Sequence, residues 1–377
     1  MGVLRLVLAL SVVMSHGLTT FLGVRLFDGA GAVWTFFAIS GFLITVALNN
    51  KYAVGKWHLA HFYWNRVIRL YPAYWVWLAL TLAAYLLIPD AFLTYQRFVV
   101  DGSVQASGFW ADHAHGASVG TLVVTTLANI TGFLSEALLY LGFNKASGTL
   151  TANPRQNAPI WAMGFMFIGQ FWSIGVELFF YALAPLVTKN FLRIALLFYL
   201  SASGYLEQAW IGVGRWANLS PALIYLQAPK FLWMFMIGSM LAHVFLHAKA
   251  PVRKNFWQPL TLLLVMYAYV AWRSPILFPL QTFPWWLFAA LTIVVPLLFT
   301  KTASNKLDRF AGDLSYPVYI NHFIIIQTVG SVVTPNGFVF ALVSILMATA
   351  TLILVERPAR RLKFSEAPRI KPPNGGH

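Results

Sequence analysis

The stretch Arg5–His16, RLVLALSVVMSH, begins an apolar run with a basic residue and carries a histidine eleven positions later. At about 1.5 Å of rise per helical residue, the imidazole would lie roughly 16 Å along the helix axis. In a bilayer with a hydrocarbon core about 30 Å thick, that depth is close to the middle. A titratable ring there is costly, so the stretch predicts a functional role for His16, with a satisfied structural polar group as the alternative.

The composition of the whole chain is that of an integral membrane protein. Its 377 residues are 59% hydrophobic and 10% charged, whereas soluble chains have about 25% charged residues. The absence of cysteine excludes disulfides, thiolate metal sites and a cysteine nucleophile. The net charge of +15 is spread over the gaps between apolar runs. It therefore follows the positive-inside rule and does not indicate nucleic-acid binding.

Ten apolar segments are long enough, or nearly so, to cross a membrane, which predicts an all-α polytopic bundle of about ten transmembrane helices. The segments are 3–22, 31–48, 71–88, 166–187, 191–207, 229–247, 257–272, 284–300, 312–331 and 337–355. If the N-terminus is cytoplasmic, most of the 26 Lys and Arg residues fall in the inner gaps. Both termini are therefore predicted to be cytoplasmic.

A single membrane domain is predicted over 1–360, followed by a disordered basic cytoplasmic tail at 361–377. The long connection 89–165 is predicted to lie on the outer face. Within it, 119–143 is apolar enough for an eleventh span, but a span there would reverse the sides of all later basic loops. We interpret it as an interfacial or re-entrant helix. A disordered outer loop is the alternative for the whole connection.

Three ionisable side chains from segments far apart in sequence are predicted to lie near the middle of the membrane: His16, Glu177 and His322. Each would be costly against lipid, so each should face the bundle interior or a wet cavity. A histidine with a carboxylate partner is a general-base arrangement, because the carboxylate sets the tautomer and stabilises the imidazolium. We predict one shared site, with three satisfied structural groups as the alternative.

Arg66 and Arg69, in NRVIRLYPAYW, lie three positions apart and would share one face of a helix. Two guanidiniums there can form a fork for phosphate oxygens. Both are placed at the inner boundary, just before Tyr71-Pro72, which is predicted to begin segment 71–88. Spacing alone leaves ordinary positive-inside charge as the alternative. No metal site is predicted, and the chain has no H-E-x-x-H, G-x-G-x-x-G or P-loop motif.

Six motifs, in this order and at these spacings, resemble the acyltransferase-3 family of integral membrane acyltransferases. They are Arg5 with His16, FFAISGFLI at 36–44, Arg66-x-x-Arg69 followed by LYPAYW, FWSIGVELFFYALAPL at 171–186, LSYPVYINH at 314–322 and VERPARR at 355–361. The resemblance runs from Arg5 to Arg361 and leaves out only 89–165. Family members often have a second acidic residue directly after the glutamate, where this chain has Leu178.

The resemblance implies transfer of an acyl group, most often acetyl, from cytoplasmic acyl-coenzyme A to a hydroxyl of an extracytoplasmic glycan. Exopolysaccharides, O-antigens or lipid-linked sugars are the implied acceptors, and a bacterial inner membrane is the implied location. Acyl-coenzyme A would be a co-substrate, with no permanently bound cofactor. The predicted roles are general base and its partner for His16 and Glu177; acyl-coenzyme A binding for Arg66, Arg69 and Arg5; and acyl or acceptor positioning for Ser40, Trp172, Ser173, Tyr316, Tyr319 and His322. Direct transfer and a covalent His or Ser intermediate are both open.

A proton-coupled transporter of a glycan or small molecule is the main competing interpretation. It would use the same His and Glu as a proton relay and the paired arginines as a phosphate gate. Such transporters often contain inverted repeats, and we find no matching halves in this sequence. A catalytically inactive scaffold is the third interpretation, against which the intact His, Glu and paired Arg argue.

Overall fold

The computed structural model describes residues 1–17, 19, 29–53, 57–88, 116–139, 141–151, 160–211, 228–247, 285–302, 304–334 and 336–364. The predicted segment 257–272 lies outside these residues, as do 89–115 of the outer connection and 365–377 of the tail. The described part is mainly helical.

The helices follow the apolar segments closely in the second half of the chain and less closely in the first. They are α1 (Gly2–His16), α2 (Gly29–Asn50), α3 (His58–Leu87), α4 (Val119–Thr131), α5 (Trp172–Val187), α6 (Phe191–Ile211), α7 (Ala228–His247), α8 (Trp285–Thr302), α9 (Lys306–Gly330) and α10 (Gly337–Thr351). A π-helical turn (Leu352–Glu356), the short helix α11 (Arg357–Ala359) and a 3₁₀ turn (Arg360–Leu362) extend α10.

Five described helical stretches are long and apolar enough to cross a membrane. They are Gly29–Asn50, His58–Leu87, Gly169–Val187, Pro229–His247 and Gly337–Leu362. Shorter apolar helices lie at Gly2–His16, Val119–Thr131, Phe191–Ser203 and Thr292–Thr302. The all-α membrane class is confirmed, apart from a small sheet described below. The count of ten spans and the cytoplasmic termini stay predictions.

The first helix ends earlier than segment 3–22 predicts. Helix α1 has 15 residues and stops at His16, where Gly17 caps it. At about 1.5 Å per residue it is roughly 22 Å long. His16 therefore lies at the end of its helix, not near the middle of a longer one, so its ring can meet groups beyond the helix end.

The predicted start of the third segment at Tyr71-Pro72 is wrong. Helix α3 begins at His58 and includes Pro72 in its interior. Proline removes one N–H from the helical ladder, and the chain tolerates this loss within a helix of 30 residues. Arg66 and Arg69 consequently lie within α3 itself, in the two turns before the proline, and not before the helix begins.

Close backbone contact between α2 and α7 sets one side of the bundle. A Cβ atom added at Gly41 would come within 2.0 Å of the Phe235 carbonyl oxygen, and one at Gly238 within 1.9 Å of the Ala38 oxygen. Small residues permit such an approach between membrane helices. The Thr45 hydroxyl donates to Ser239 Oγ at 2.9 Å across the same contact. The Ser40-Gly41 pair therefore fixes the position of α2, which carries Ser40.

The start of α1 is fixed against α9. The Asp308 carboxylate accepts from the backbone N–H of Gly2 at 2.8 Å and of Val3 at 3.0 Å. A carboxylate at a helix N-terminus satisfies unpaired amides and complements the helix dipole. Gly312 lies against Gly2, whose Cα would be 3.0 Å from an added Cβ. This close approach places Arg5, one turn along α1, beside α9.

Within the connection 89–165, the start of α4 contacts the turn at Gly148, so the chain from Ser118 to Gly148 forms a closed loop. Ser118 caps α4, and its backbone N–H donates to the Gly148 carbonyl in the β1–β2 turn at 2.7 Å. Strands β1 (Gly142–Asn144), β2 (Thr149–Thr151) and β3 (Ile160–Trp161) form an antiparallel sheet in the order β2-β1-β3. An all-α prediction omits this sheet, because its strands are only two or three residues long.

The far end of α4 reaches the middle of α3. Hydroxyl groups of Tyr71 and Tyr74 donate to the carbonyls of Thr131 and Asn129. Those carbonyls belong to the last turn of α4, where the carbonyl groups have no N–H partner within the helix. The chain then turns at Gly132, in the left-handed region with φ 78°, and returns to the sheet. The re-entrant interpretation of 119–143 stays a prediction.

Candidate functional site

A cavity of about 440 Å³ lies between α1, α2, α3, α5 and α9. This volume falls in the range of small-molecule sites, about 300–1,000 Å³. Its lining contains most of the predicted site residues: Arg5, Ser40, Arg66, Arg69, Ser173, Glu177, Tyr316 and Tyr319. Apolar walls come from α2 and α5, including Val33, Phe36 and Ile174. Side chains that are far apart in sequence are thus brought to one chamber.

One end of the cavity is cationic. The guanidinium of Arg66 lies 5.7 Å from the ring centre of Phe62 and 5.8 Å from that of Tyr181. Its Nε is buried and has no hydrogen-bond partner in the described part of the chain. Arg69 Nη1, by contrast, lies 3.4 Å from Asp313 Oδ1. The two arginines predicted as a pair therefore differ. Arg69 has a carboxylate partner, whereas the Nε–H of Arg66 is available to donate a hydrogen bond to a ligand.

Glu177 lies on the wall of the same cavity. Its Oε1 accepts from the Ser40 hydroxyl at 2.7 Å and from the Tyr181 hydroxyl. Tyr181 is one helical turn further along α5, so Glu177 and Tyr181 share a face. Because Tyr181 also contacts Arg66, the carboxylate is linked to the cationic end through an aromatic ring.

A pair of hydroxyls on the cavity lining joins α5 to α9. Ser173 Oγ and the Tyr319 hydroxyl are 2.7 Å apart. Both oxygens also lie within hydrogen-bond distance of the Gln170 carbonyl oxygen, at 3.1 and 3.2 Å. Each hydroxyl has one hydrogen, which it can donate either to the other hydroxyl or to this carbonyl. The Gln170 side chain in turn donates to the Ile320 carbonyl at 2.7 Å. These contacts hold two hydroxyl donors in fixed positions.

The histidines form a separate pair one turn beyond Tyr319. His322 Nε2 and His16 Nδ1 are 3.3 Å apart, and the ring centres are 5.0 Å apart. His322 is fully buried at 0% exposure. Neither ring is among the described residues that line the cavity. Of the three ionisable groups predicted to share one site, the structure brings the two histidines together and places Glu177 on the cavity wall.

Backbone carbonyls determine the protonation pattern of the pair. His322 Nδ1 lies 2.6 Å from the Tyr319 carbonyl and His16 Nδ1 lies 3.0 Å from the Val12 carbonyl. A carbonyl accepts only, so each Nδ1 carries the hydrogen. His322 Nε2 is then an acceptor facing His16 Nδ1–H. In the neutral His16 ring, Nε2 is the basic nitrogen.

The predicted partnership of His16 with Glu177 needs correction. The described hydrogen bonds of Glu177 go to Ser40 and Tyr181, whereas the ring of His16 packs against His322. The similar predicted depths of the two groups say nothing about which way each helix face points. His322, predicted to position substrate, occupies the place expected for the carboxylate.

Two other residues were predicted to position the substrate. One lies outside the cavity, and the hydroxyl of the other is hydrogen-bonded to the backbone. Trp172 does not line the cavity; its ring packs against Phe37 and Phe231, with centres 6.4 and 5.6 Å apart. Tyr316 lines the cavity, but its hydroxyl donates to the Leu70 carbonyl at 2.9 Å. Tyr316 therefore joins α9 to α3 just before Pro72.

Sequence reasoning missed several cavity residues. Tyr181 could have been found, because it lies four positions after Glu177 on one helix face. Asp313 carries no motif that would single it out, yet it bridges Arg69 and Arg360, with Arg360 Nη1 at 2.7 Å. Lys363 also lines the cavity, although 361–377 was expected to be disordered. The structure describes residues 361–364 packed on α3.

The pKa of Lys363 reflects a crowded cationic environment. Burial, and after it the charges of Arg69, Arg360, Arg66 and Lys51, together lower it from its ordinary value of 10.5 to about 8. Arg66, Arg69 and Lys363 line the cavity. An anionic ligand is the natural complement to such an arrangement.

The comparisons with known proteins assign this architecture to a class. The sequence profile of the acyltransferase-3 family, described as an acyltransferase domain, matches residues 1–356. The chain belongs to this family of multi-pass membrane acyltransferases. No curated protein and no solved structure matches the chain.

Proposed function

We propose that the protein transfers an acyl group, acetyl in the first instance, from cytoplasmic acyl-coenzyme A to a hydroxyl of an extracytoplasmic glycan. An exopolysaccharide, an O-antigen or a lipid-linked sugar is the proposed acceptor, and a bacterial inner membrane the proposed location. The cavity carries the proposal, because it combines a cationic end, apolar walls and a fixed hydroxyl pair next to two histidines.

The cavity suits the two chemically different parts of the donor. Coenzyme A carries phosphates, which Arg guanidiniums bind through charged hydrogen bonds. Arg66 offers a buried, unpartnered Nε for such a bond, and Arg5 and Arg69 line the same space. The acyl-bearing arm is thin and weakly polar, so it can extend along Val33 and Phe36 towards Ser173 and Tyr319.

The histidine pair supplies the proposed base. His16 Nε2 takes the proton of the acceptor hydroxyl while the hydroxyl oxygen attacks the thioester carbonyl carbon. The new C–O bond forms, the C–S bond breaks, and the leaving thiolate takes the proton back from the imidazolium. A positioned general base typically accelerates a reaction about 10²–10⁴-fold. His322 accepts from His16 Nδ1–H and keeps Nε2 available as the base.

The hydroxyl pair is placed to stabilise the developing charge. Negative charge builds on the carbonyl oxygen in the transition state, and fixed donors there lower the barrier. Ser173 and Tyr319 are the proposed donors, and each would turn its single hydrogen from its present acceptor to the thioester oxygen. In this scheme Glu177 orients Ser40 and Tyr181 on the donor side and does not contact the base. Acylation of His16 or Ser173 before the final transfer is the two-step variant of the same scheme.

Turnover of radiolabelled acetyl-coenzyme A tests the proposal. Purified protein in nanodiscs, supplied with a lipid-linked glycan extract, should release coenzyme A and label the glycan. The variants His16→Ala and Arg66→Ala/Arg69→Ala should do neither. Absence of coenzyme A release by the wild type with acetyl, succinyl and longer acyl donors would contradict the proposal. Glycan movement across vesicles without coenzyme A release would instead indicate the transporter.

A further inference from the structure

The segment Arg360–Phe364, called the strap below, lies along the first turns of α3. The indole N–H of Trp64 donates to the Leu362 carbonyl at 2.8 Å. The Phe364 amide donates to Asn65 Oδ1 at 3.2 Å. Asn65 is only 2% exposed. The strap is therefore anchored to a rigid part of the helix that carries Arg66 and Arg69.

Further contacts hold both ends of the strap. The Phe364 ring stacks on His61, with ring centres 4.3 Å apart and planes 23° apart. At the other end, Arg360 binds Asp313 at 2.7 Å and Glu356 at 2.8 Å. The strap thus joins α3 to α9 beside the cationic end of the cavity.

Lys363 lies between these anchors and lines the cavity together with Arg66 and Arg69. Its backbone N–H closes the strap turn on the Arg360 carbonyl at 3.2 Å. Its ammonium has no ion pair in the described part of the chain. Asp313, which lines the same cavity, is already shared by Arg69 and Arg360.

Charge balance at this end is therefore incomplete. Arg69 and Arg360 are neutralised by Asp313 and Glu356, while no carboxylate is described for Arg66 or Lys363. Two uncompensated cations that line one cavity repel each other, and they match a ligand with about two negative charges. A phosphate monoester carries about −1.5 to −2 near neutral pH and has three acceptor oxygens.

We propose that Lys363 and Arg66 form a phosphate-binding site whose outer wall is the C-terminal strap. The proposal rests on the proposed function, because the phosphate it assigns to this site belongs to the acyl donor. Lys363 is then a donor-binding residue on a segment that the sequence indicates to be a solvated tail. The headgroup phosphate of an anionic lipid is the other possible source of the same chemistry.

The site should weaken as pH rises. The charged groups acting on the Lys363 ammonium are Lys51 just after α2, Arg66 and Arg69 on α3 and Arg360 on the strap. Asp313 on α9 lines the same cavity, and His61 stacks on Phe364 next to Lys363. The pKa of Lys363 is lowered to about 8, so the ammonium loses its proton as pH passes that value. Arginine stays charged over this range. Donor affinity should therefore fall above pH 8 in the wild type and persist in Lys363→Arg.

Equilibrium binding of S-ethyl coenzyme A tests the site. This thioether keeps all the phosphates, has no ionisable thiol and cannot transfer an acyl group. In phosphatidylcholine nanodiscs at pH 7.5, Lys363→Ala should weaken binding about tenfold, as loss of a charged hydrogen bond does, and Lys363→Arg should restore it. Arg361→Ala, which removes an exposed neighbour outside the cavity lining, should change Kd less than twofold.

The possible results separate this inference from the proposed function. If the wild type binds the thioether and Lys363→Ala binds it equally well, the strap site is wrong and the proposed function stands. If the wild type does not bind it at all, both are wrong. Equal losses in Lys363→Ala and Arg361→Ala would mean a general charge effect and would also overturn the site.

A lipid arm identifies the source of the phosphate. The same titrations in phosphatidylglycerol nanodiscs should give the same ratio of Kd values for wild type and Lys363→Ala. If phosphatidylglycerol weakens thioether binding by the wild type and leaves Lys363→Ala unchanged, the lipid headgroup occupies the site. That result would overturn the assignment to the donor.

Discussion

The cavity and the histidine pair hold their polar groups in different ways. Around Glu177 the contacts are between side chains, with Ser40 and Tyr181, and the buried Nε of Arg66 has no partner in the described part of the chain. In the histidine pair, backbone carbonyls fix both rings. Uncompensated charge suits a ligand that must enter and leave, whereas a fixed ring suits a proton transfer. We therefore propose that the cationic end of the cavity binds the acyl donor and that the histidine pair, together with the Ser173–Tyr319 hydroxyls, carries the chemistry.

Replacement of His16 should have the largest effect. In His16→Ala we expect kcat for acyl transfer to fall by about 10²–10⁴, because a positioned base is lost. The Kd for S-ethyl coenzyme A should stay within twofold, because His16 does not line the cavity. Steady-state kinetics and thioether titration on the same sample measure both. A large loss of affinity in His16→Ala would place the base inside the donor site.

Replacement of Arg66 should have the opposite effect to replacement of His16: affinity for the thioether should fall and kcat should be nearly unchanged. Arg66→Ala should raise the Kd for the thioether about 10–100-fold, since a hydrogen bond to a charged group contributes about 1.5–3 kcal/mol. At saturating donor, kcat should change little. Arg66→Lys should recover only part of the affinity, because an ammonium cannot replace a planar fork. If Arg66→Ala lowered kcat and left Kd unchanged, the division between the two regions would fail.

Replacement of His322 should lower kcat less than replacement of His16, because His322 acts only by positioning His16. His322→Leu removes the acceptor of His16 Nδ1–H, and we expect kcat to fall about tenfold, as an outer partner of a catalytic group commonly shows. The double variant His16→Ala/His322→Leu should be no slower than His16→Ala, because groups that act as one unit are not additive. If the losses in kcat of the two single variants multiplied in the double variant, His322 would act on the substrate independently of His16. Thermal unfolding in detergent checks that the variant is folded.

The smallest effect is expected for Tyr181. Tyr181→Phe keeps the ring beneath Arg66 and removes one hydrogen bond to Glu177, which is worth about 0.5–1.5 kcal/mol. The Kd for the thioether should therefore rise by a few-fold, with kcat unchanged. Tyr199→Phe, at a side chain that is 68% exposed, is the matched control. A change in kcat for Tyr181→Phe would connect Glu177 to the chemical step after all.

The sequence predicted the residues of the cavity better than their partners. Arg5, Glu177 and Tyr319, which the family motifs single out, line one chamber. Helical rise predicted similar depths for His16, Glu177 and His322, and the structure pairs the two histidines with each other. Depth is a coordinate along the axis, and it carries no information about rotation around it. That rotation depends on packing, such as the contact of Gly41 with the Phe235 carbonyl. The pairing of His16 with His322 could therefore not be read from spacing.

The ends of elements were predicted least well. Pro72 suggested a helix start, but it lies in the interior of α3, which is 30 residues long. The basic composition after Arg361 suggested a disordered tail, because charge-rich segments without apolar residues rarely fold. Leu362 and Phe364 supply the three contacts that anchor the strap to α3. Two residues are too short a signal for a composition-based prediction.

A cryo-EM map of the nanodisc-embedded protein with S-ethyl coenzyme A tests the separation of binding from chemistry most directly. We expect phosphate density beside Arg66 and Lys363, and the sulfur near the Ser173–Tyr319 hydroxyl pair, with the ring of His16 beyond it. Phosphate density beside the histidines, or a donor bound outside this cavity with Arg66 untouched, would contradict it.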